Sequence, residues 1–279
     1  MRKLSFPGLG IGEFSVNSTA FTLFGVDVAW YGVIIATGAL LAIFYVMWRA
    51  KQVGIKSDTI LDIALLTLPM GVIGARLYFV LMSLDSFHHF WEIFDIRSGG
   101  LAIYGGIIGG ALGVIIMTKI KKLSFLQMAD LICPAVMIGQ IVGRWGNFMN
   151  VEAFGTETTL PWRMGILAGG SWTYVHPTFL YESLWNLLGF LLINTFYGWK
   201  TKKSYQKYDG QIFLMVFTWY GFGRMLIEGL RTDSLYIGPL RVSQVLGGLF
   251  FLAGLSLLLY HHFTKTDMLF KPLGGKKEK

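Results

Sequence analysis

The chain is poor in charged residues and has almost no cysteine. Asp, Glu, Lys and Arg make up 14% of its 279 residues, whereas soluble proteins carry roughly 25%. Cys133 is the only cysteine, so an intrachain disulfide is excluded, and a thiol in an apolar segment is typically inert. The sequence also lacks a cysteine pair, a His-Glu-x-x-His motif, a P-loop and a Gly-x-Ser-x-Gly elbow. These absences argue against zinc, nucleotide and serine-hydrolase chemistry.

The chain has long apolar segments instead. Hydrophobic residues make up 54% and the mean hydropathy is +0.56. A helix of about 20 residues crosses the hydrocarbon core of a bilayer, and seven apolar segments approach or exceed that length. They are residues 28–48, 60–82, 100–117, 125–143, 178–198, 211–229 and 241–261. The sequence therefore predicts an all-α integral membrane protein, with residues 1–279 forming one membrane domain of seven transmembrane helices.

The distribution of lysine predicts the orientation of these helices. Most lysines follow the first, third, fifth and seventh segments: Lys51, Lys56, Lys119, Lys121, Lys122, Lys200, Lys202, Lys203, Lys207, Lys265, Lys271, Lys276, Lys277 and Lys279. Because cytoplasmic loops are enriched in Lys and Arg, we expect the N-terminus outside and the C-terminus in the cytoplasm. The net charge of +8 then reflects topology and anionic lipids rather than nucleic acid. The longest outer loop, 144–177, predicts a small extracytoplasmic cap.

One polar run stands out at the end of the fourth apolar segment, Gly143-Arg-Trp-Gly-Asn-Phe-Met-Asn-Val-Glu-Ala-Phe-Gly155. It places Arg144, Asn147, Asn150 and Glu152 among glycines beside lipid. Spanning a membrane does not require such polar chemistry. Because arginine offers a planar fork of donors for phosphate or carboxylate, the run indicates a site that binds a charged group.

Polar residues from six predicted helices are expected in the same layer near the outer leaflet: Tyr31, Arg76, Tyr104, Arg144, His176 and Arg224. Arg76 and Arg224 lie inside their helices, where a charge is costly unless it is paired. Snorkelling to the interface, or pairing with Glu228 or Glu152, is one way to satisfy them. An anionic lipid phosphate, which would bind several arginines together, is the other.

Two shorter patterns leave alternatives open. His176 precedes a helix expected to begin near Pro177, where it would serve as a cap or as a proton carrier. Glycines recur every four residues at Gly105, Gly109 and Gly113, a spacing that favours close helix packing. The alternative is that Tyr104-Gly-Gly106 breaks the helix beside a cavity.

Over residues 28–261 these motifs resemble bacterial prolipoprotein diacylglyceryl transferases. The run 143–155 corresponds to the signature of that family. The supporting matches are Trp30-Tyr-Gly32, Gly74-Ala-Arg76, Gly99-Gly-Leu-Ala-Ile-Tyr-Gly-Gly106, His176-Pro-Thr-Phe-Leu-Tyr-Glu182, and Tyr220 through Arg231.

The resemblance implies a multi-pass enzyme of the bacterial cytoplasmic membrane with its active site near the outer leaflet. Such an enzyme transfers the diacylglyceryl group of phosphatidylglycerol to the lipobox cysteine thiol in a prolipoprotein signal peptide. It forms a thioether and releases glycerol phosphate, the first step of lipoprotein maturation. The resemblance implies no metal or nucleotide cofactor, and we expect a monomer among membrane lipids.

By motif position, the resemblance assigns the phosphate side of the reaction to Arg144 and Arg224. We expect the other residues of the site to bind substrate: Tyr31, Arg76, Asn147, Asn150, Gly155, Tyr220, Glu228 and Arg231. Some family members have a histidine, proposed as the base, where this chain has Tyr104. Tyrosine titrates near 10 and is a poorer base, so the proton acceptor is open among Tyr104, His176 and Glu152.

The free-energy costs of forming the thiolate and of breaking the C–O bond can be compared. A thiol of pKa about 8.5 is roughly 3% thiolate at pH 7, a deficit near 2 kcal/mol. Breaking the glycerol C–O bond is harder, because charge accumulates on the departing phosphate. We therefore expect the arginines to contribute more to the rate than the base does.

Two rival functions use the same residues. The first is a phospholipid transferase or phospholipase with another acceptor, which would consume phosphatidylglycerol without a lipobox peptide. The second is a transporter or lipid flippase, but the polar residues gather on one side rather than through the bilayer. A purely structural membrane protein is the least favoured interpretation.

Overall fold

The structure, a computed structural model, describes residues 2–87, 89–96, 99–198 and 206–264. The described residues form two compact units, one within Met1–Ala42 and Ile132–Lys279 and the other within Ile43–Leu131. Several lysines used to predict the orientation lie outside the described residues: Lys200, Lys202, Lys203, Lys265, Lys271, Lys276, Lys277 and Lys279.

Long helices make up most of the described chain: α1 (Trp30–Gln52), α2 (Ser57–Met82), α3 (Ile103–Ile120), α4 (Phe125–Asn150), α5 (Thr178–Tyr197), α6 (Gln211–Ile227) and α7 (Val242–Phe263). Each overlaps one of the apolar segments. However, α4 continues to Asn150, so Arg144 and Asn147 lie in its last turns rather than in the expected loop 144–177. Arg2 stabilises this longer end by donating hydrogen bonds to the carbonyl oxygens of Asn150 and Val151, at 3.0 and 2.9 Å.

Five of the described helices, α1 to α4 and α7, are long and apolar enough to cross a membrane. The prediction of a multi-pass, mostly helical membrane protein is therefore confirmed in this coarser form. The helix α6 has 17 residues, about 26 Å at 1.5 Å per residue. The helix α5 carries a buried carboxylate, Glu182, and two buried amides, Asn186 and Asn194.

The chain is not entirely helical, which corrects the all-α prediction. Its strands are β1 (Arg2–Phe6), β2 (Ile11–Val16), β3 (Thr19–Leu23), β4 (Val26–Ala29), β5 (Met164–Ala168), β6 (Ser171–Val175), β7 (Tyr236–Ile237) and β8 (Leu240–Arg241). One antiparallel sheet has the order β2-β1-β5-β6. Gly169 and Gly170, both at positive φ, form the two-residue turn between β5 and β6, a conformation that glycine adopts without strain.

A small hydrophobic core joins this sheet to the end of α4 and the start of α5. Leu4 of β1 and Met164 of β5 pack in it with Val151, Val175 and Phe179, and all five are buried. Because the core includes residues beside both helix ends, it holds the polar run of α4 next to the first turns of α5.

Two tryptophans hold α5 against α6. The Trp185 and Trp219 rings stack with centroids 4.3 Å apart. The indole N–H of Trp185 donates to the carbonyl oxygen of Trp219 at 3.2 Å, and that of Trp219 to the carbonyl oxygen of Trp185 at 3.0 Å. Gly189 and Gly223 leave the space that these rings occupy. The paired indoles thus fix the spacing at which the polar residues of α5 and α6 face each other.

In the second unit, α2 and α3 pack through glycine. Gly105 and Gly109 lie directly against the backbone of Gly74 and Met70 on α2, and α3 is continuous from Ile103. The close-packing interpretation of these glycines is therefore confirmed, and the proposed helix break at Tyr104-Gly-Gly106 is wrong.

Replacing Gly105 with alanine should destabilise this packing, whereas the neighbouring Gly106→Ala should not. A Cβ at Gly105 would overlap the carbonyl oxygen of Gly74, but a Cβ at Gly106 would meet its nearest neighbours at 3.6 Å. Overpacking of this kind costs about 1–3 kcal/mol. Thermal unfolding of both variants in detergent micelles measures the difference, and equal unfolding midpoints would contradict the packing.

Candidate active site

Glu182, near the start of α5, lies among three arginines of the first unit. Its Oε2 is 2.5 Å from Nη2 of Arg144 and 3.4 Å from Nη1 of Arg224. Its Oε1 is 2.9 Å from Nη1 of Arg231. Because the Glu182 side chain is only 7% exposed, its charge requires close partners. We call Glu182 with these three arginines the arginine cluster.

Two more carboxylates complete the charges around the cluster. Glu228 Oε2 lies 2.7 Å from Nη2 of Arg224, and Asp233 accepts hydrogen bonds from Nε and Nη2 of Arg231 at 2.9 and 2.7 Å. Burial acts to lower the pKa of Arg231, but its bonds to Asp233 and Glu182 raise that pKa above the ordinary value. Burial acts to raise the pKa of Asp233, but the hydrogen bonds and charge of the Arg231 guanidinium outweigh burial and hold that pKa below its ordinary value. Both groups therefore stay charged at neutral pH.

Exposure distinguishes the three arginines. The Arg144 side chain is 22% exposed and that of Arg224 is 16% exposed, whereas that of Arg231 is 10% exposed. Each guanidinium has five N–H donors. Arg231 is held on both edges by carboxylates, whereas Arg144 and Arg224 are more accessible. The latter two are therefore better placed to bind an incoming anion.

A chain of hydrogen bonds links Arg144 to Glu152. Nη1 of Arg144 donates to Oδ1 of Asn147 at 3.2 Å, and Nδ2 of Asn147 donates to Oε1 of Glu152 at 2.8 Å. Nδ2 of Asn150 donates to the same Oε1 at 3.3 Å. The polar residues of the run 143–155 therefore form one connected network with the arginine cluster.

The backbone around Glu152 is strained. Val151 and Ala153 have φ values of 51° and 55°, a left-handed conformation that is unfavourable for a residue with a side chain, above all for a β-branched one. The Thr178 hydroxyl holds this turn by donating to the carbonyl oxygen of Ala153 at 2.5 Å. Strain of this kind persists where surrounding contacts enforce it, and here it directs Glu152 toward Asn147.

Glu152 also lines a polar cavity of about 350 Å³. The other lining residues come from the first two strands, the segment after them and the end of α4: Arg2, Val16, Asn17, Ser18, Met149 and Asn150. Among the described residues, Glu152 has no Lys or Arg within ion-pair distance. Its carboxylate is thus an exposed acceptor at the edge of the network.

Three further predicted residues lie beside the cluster. The Tyr31 ring packs against Gly146 of α4, two residues after Arg144. Tyr220 lines a small cavity together with Glu182 and Arg224. Gly155 pairs its backbone with Arg231, and a Cβ there would lie 2.7 Å from Cβ of His176, so close packing requires glycine.

His176 is engaged elsewhere. Its Nδ1 lies 3.1 Å from the Tyr181 hydroxyl, which accepts a hydrogen bond from Nε1 of Trp162 at 2.7 Å. Burial lowers the pKa of His176, so its imidazole is neutral at neutral pH. The helix cap is Pro177, without a side-chain hydrogen bond, so His176 does not cap α5. Within the described chain, it makes no ion pair with the arginine cluster.

Arg76 and Tyr104 belong to the second unit. The Arg76 guanidinium donates hydrogen bonds of 2.6–3.1 Å to four carbonyl oxygens, those of Glu92, Ile93, Gly99 and Gly100. It is satisfied by backbone rather than by a carboxylate, and it holds the segment between α2 and α3. The Tyr104 ring, half-buried in the first turn of α3, lies 6.2 Å from the ring of Tyr78.

Sequence reasoning missed Glu182, the carboxylate that pairs with all three arginines. In the sequence it is only the last residue of the motif 176–182. A carboxylate inside an otherwise apolar helix is the signal that could have identified it, because such a charge needs a partner. Asp233 was missed as well, since nothing in the sequence separates it from an ordinary loop residue.

Comparison with known proteins gives one consistent family. The sequence model of the prolipoprotein diacylglyceryl transferase family matches residues 18–260. A phosphatidylglycerol–prolipoprotein diacylglyceryl transferase of Clostridioides difficile (strain 630) is 46% identical over 83% of this chain and 90% of its own length. That of Finegoldia magna is 46% identical over 87% of this chain and 94% of its own. The Enterococcus faecalis protein of the same name is 42% identical over 88% and 90%.

Proposed function

The chain belongs to the prolipoprotein diacylglyceryl transferase family, and we propose that it transfers the diacylglyceryl group of phosphatidylglycerol to the lipobox cysteine thiol of prolipoproteins. The products are a thioether-linked prolipoprotein and glycerol phosphate. The observation that carries this proposal is the arginine cluster, which gathers three guanidiniums, one of them from Arg144 of the signature run, around one buried carboxylate.

The reaction places charge where the cluster can stabilise it. The thiolate sulfur attacks the carbon of the diacylglyceryl group that is bonded to the phosphate oxygen. The C–O bond breaks, and its electron pair remains on that oxygen, which departs with the glycerol phosphate. Arg144 and Arg224, the more accessible arginines, bind that phosphate. Glu182 and Glu228 orient them before the substrate arrives, and preorganised donors are usually the largest contribution to catalysis. Arg231, held by Asp233 and Glu182, positions the cluster.

We assign the thiol proton to Glu152. Its carboxylate faces the cavity and connects through Asn147 to Arg144, so it lies beside the expected phosphate site. His176 instead engages Tyr181. Asn147 and Asn150 orient Glu152, Tyr31 and Tyr220 line the substrate site, and Gly155 permits the close approach of the segments around Arg231. Arg76 and Tyr104 belong to the second unit, and their part in substrate binding and catalysis stays a proposal. Arg76 also supports the loop between α2 and α3.

Glu152→Gln should slow transfer by about 30-fold at pH 7, the deficit set by the small thiolate fraction of a free cysteine. The loss should shrink at pH 9, where the thiol ionises without a base. Rates measured across this pH range test the assignment, with Glu157→Gln, an exposed neighbour, as the matched control. A loss that stays constant with pH would contradict a role for Glu152 as the base.

We further propose seven transmembrane helices, with the N-terminus outside, the C-terminus in the cytoplasm and the active site near the outer leaflet of the cytoplasmic membrane. The short 3-10 helix Glu228–Leu230 follows α6 directly and lengthens it to roughly 31 Å, enough to span. The polar residues of α5 are buried, whereas its exposed large side chains are leucines: Leu184, Leu187, Leu188, Leu191 and Leu192. An apolar exposed face suits a helix beside lipid.

The direct test is to incubate the purified protein with phosphatidylglycerol micelles and a lipobox peptide. A diacylglyceryl mass increment on the peptide cysteine, with phosphatidylglycerol consumed only when the peptide is present, is the expected result. Consumption without peptide would favour a phospholipase. A folded protein that consumes no lipid and modifies no peptide would favour transport or lipid binding. We expect the active species to be a monomer.

A further inference from the structure

A second, much smaller cavity lies between α5 and α6 in the first unit. It is lined by Glu182, Trp185, Asn186, Tyr220, Gly223, Arg224 and Ile227, and its volume is about 10 Å³. This is room for roughly one water-sized group. The cavity therefore adjoins the arginine cluster through Glu182 and Arg224, but it cannot hold a phosphate itself.

Asn186 gives this cavity a chemical preference. Its side chain is 4% exposed, and within the described chain its Oδ1 has no hydrogen-bond partner. Buried amide oxygens are almost always bonded, because an unmet acceptor loses its hydration without compensation. An acceptor left open in a water-sized space is suited to one small donor such as a hydroxyl group.

The surroundings disfavour other donors. An ammonium group would lie beside the Arg224 guanidinium, which also lines the cavity, and the like charges would repel each other. Both Glu182 oxygens already face arginines. A trimethylammonium group is too large for a space of this size. None of these objections applies to a neutral hydroxyl group.

We propose that Asn186 determines head-group specificity by accepting a hydrogen bond from a hydroxyl of the phospholipid's glycerol head group. The proposal rests on the proposed function, since it places the phosphate of the same head group on Arg224. Arg224 and Asn186 line the same small cavity, so a head group whose phosphate lies on Arg224 brings its glycerol hydroxyls toward the amide oxygen of Asn186.

The test compares two donor lipids that differ only in the head group: phosphatidylglycerol and phosphatidylpropanol, which keeps the phosphodiester but lacks both hydroxyls. The measured quantity is the ratio of kcat/KM for transfer to a lipobox peptide from each lipid. The ratio does not depend on how much protein is folded. We expect the wild-type protein to favour phosphatidylglycerol by about tenfold, the effect of one well-placed hydrogen bond. Asn186→Leu should reduce the preference to about one.

Asn194→Leu is the matched control. Asn194 is also a buried asparagine of α5, but its Nδ2 donates to the carbonyl oxygen of Phe190 at 2.8 Å, and it does not line the cavity. Its substitution should leave the lipid preference unchanged. Asn186→Ala removes the same oxygen with a smaller side chain and serves if the leucine variant fails to fold.

Each other outcome overturns the proposal. A wild-type protein that uses both lipids equally has no hydroxyl recognition to explain. A variant at Asn186 that slows both lipids by the same factor assigns the residue to packing or to an ordered water. If the wild-type protein modifies the peptide with neither lipid, the proposed function itself fails, a result distinct from a changed ratio.

Discussion

Arg144→Lys is expected to slow diacylglyceryl transfer by about 10²- to 10³-fold, the usual effect of removing one preorganised donor to a developing negative charge. The Arg144 guanidinium bonds Glu182 and Asn147 simultaneously, and its remaining donors are the most exposed of the three arginines. Lysine keeps the charge but not the planar fork. It can pair with Glu182 or reach the phosphate, but it cannot do both and also bond Asn147.

The rate should be measured under single-turnover conditions with phosphatidylglycerol and a lipobox peptide. Arg163→Lys is the matched control, because the Arg163 guanidinium donates to the loop carbonyl oxygens of Thr159 and Leu160 and lies over the Tyr174 ring, and within the described residues it makes no ion pair. We expect that variant to keep nearly the wild-type rate. An equal loss in both variants, or none in Arg144→Lys, would contradict the role of Arg144.

Glu182→Gln should have the second large effect, because it removes the carboxylate shared by three arginines. The glutamine keeps the shape of the side chain but leaves two carboxylates for three guanidiniums. Breaking buried ion pairs on one side costs about 3–5 kcal/mol. We therefore expect a clear loss of thermal stability together with a loss of transfer of about 10²-fold, since Arg144 and Arg224 would no longer be held in place.

Asp233→Asn provides the comparison within the same network. Asp233 pairs with Arg231 at 2.7 Å, but its side chain is 48% exposed, and exposed ion pairs contribute about 0–1 kcal/mol. Thermal unfolding and transfer rates of the two variants should therefore separate widely. Similar small losses in both would show that Glu182 does not organise the cluster.

The sequence was most informative about features that depend on a single local property, such as hydrophobic length or residue spacing. Long apolar segments reveal membrane helices because few other structures need them. The glycine spacing of α3 predicted close helix packing, and the structure identifies α2 as the partner. The strands were missed, since β1 and β5 are distant in sequence and their pairing depends on contacts that no local pattern records. The Gly169-Gly170 turn was a local signal only for the hairpin of β5 and β6.

The sequence drew attention to some residues of the candidate site and not to others, depending on whether a local pattern contained them. The run 143–155 attracted attention because polar residues beside lipid are costly, and the structure connects Arg144, Asn147 and Glu152 in one network. The pairing of Arg224 with Glu228 was one of the alternatives considered, and it is present at 2.7 Å. Glu182 was missed because its importance depends on three partners from three separate segments.

The claim that the arginines contribute more to the rate than the base can be tested in one measurement. Arg144→Lys and Glu152→Gln are compared side by side for single-turnover transfer from phosphatidylglycerol to a lipobox peptide at pH 7. We predict that Arg144→Lys loses at least about 100-fold, whereas Glu152→Gln loses only about 30-fold, the deficit set by the small thiolate fraction of a free cysteine. A larger loss in Glu152→Gln than in Arg144→Lys would contradict the claim.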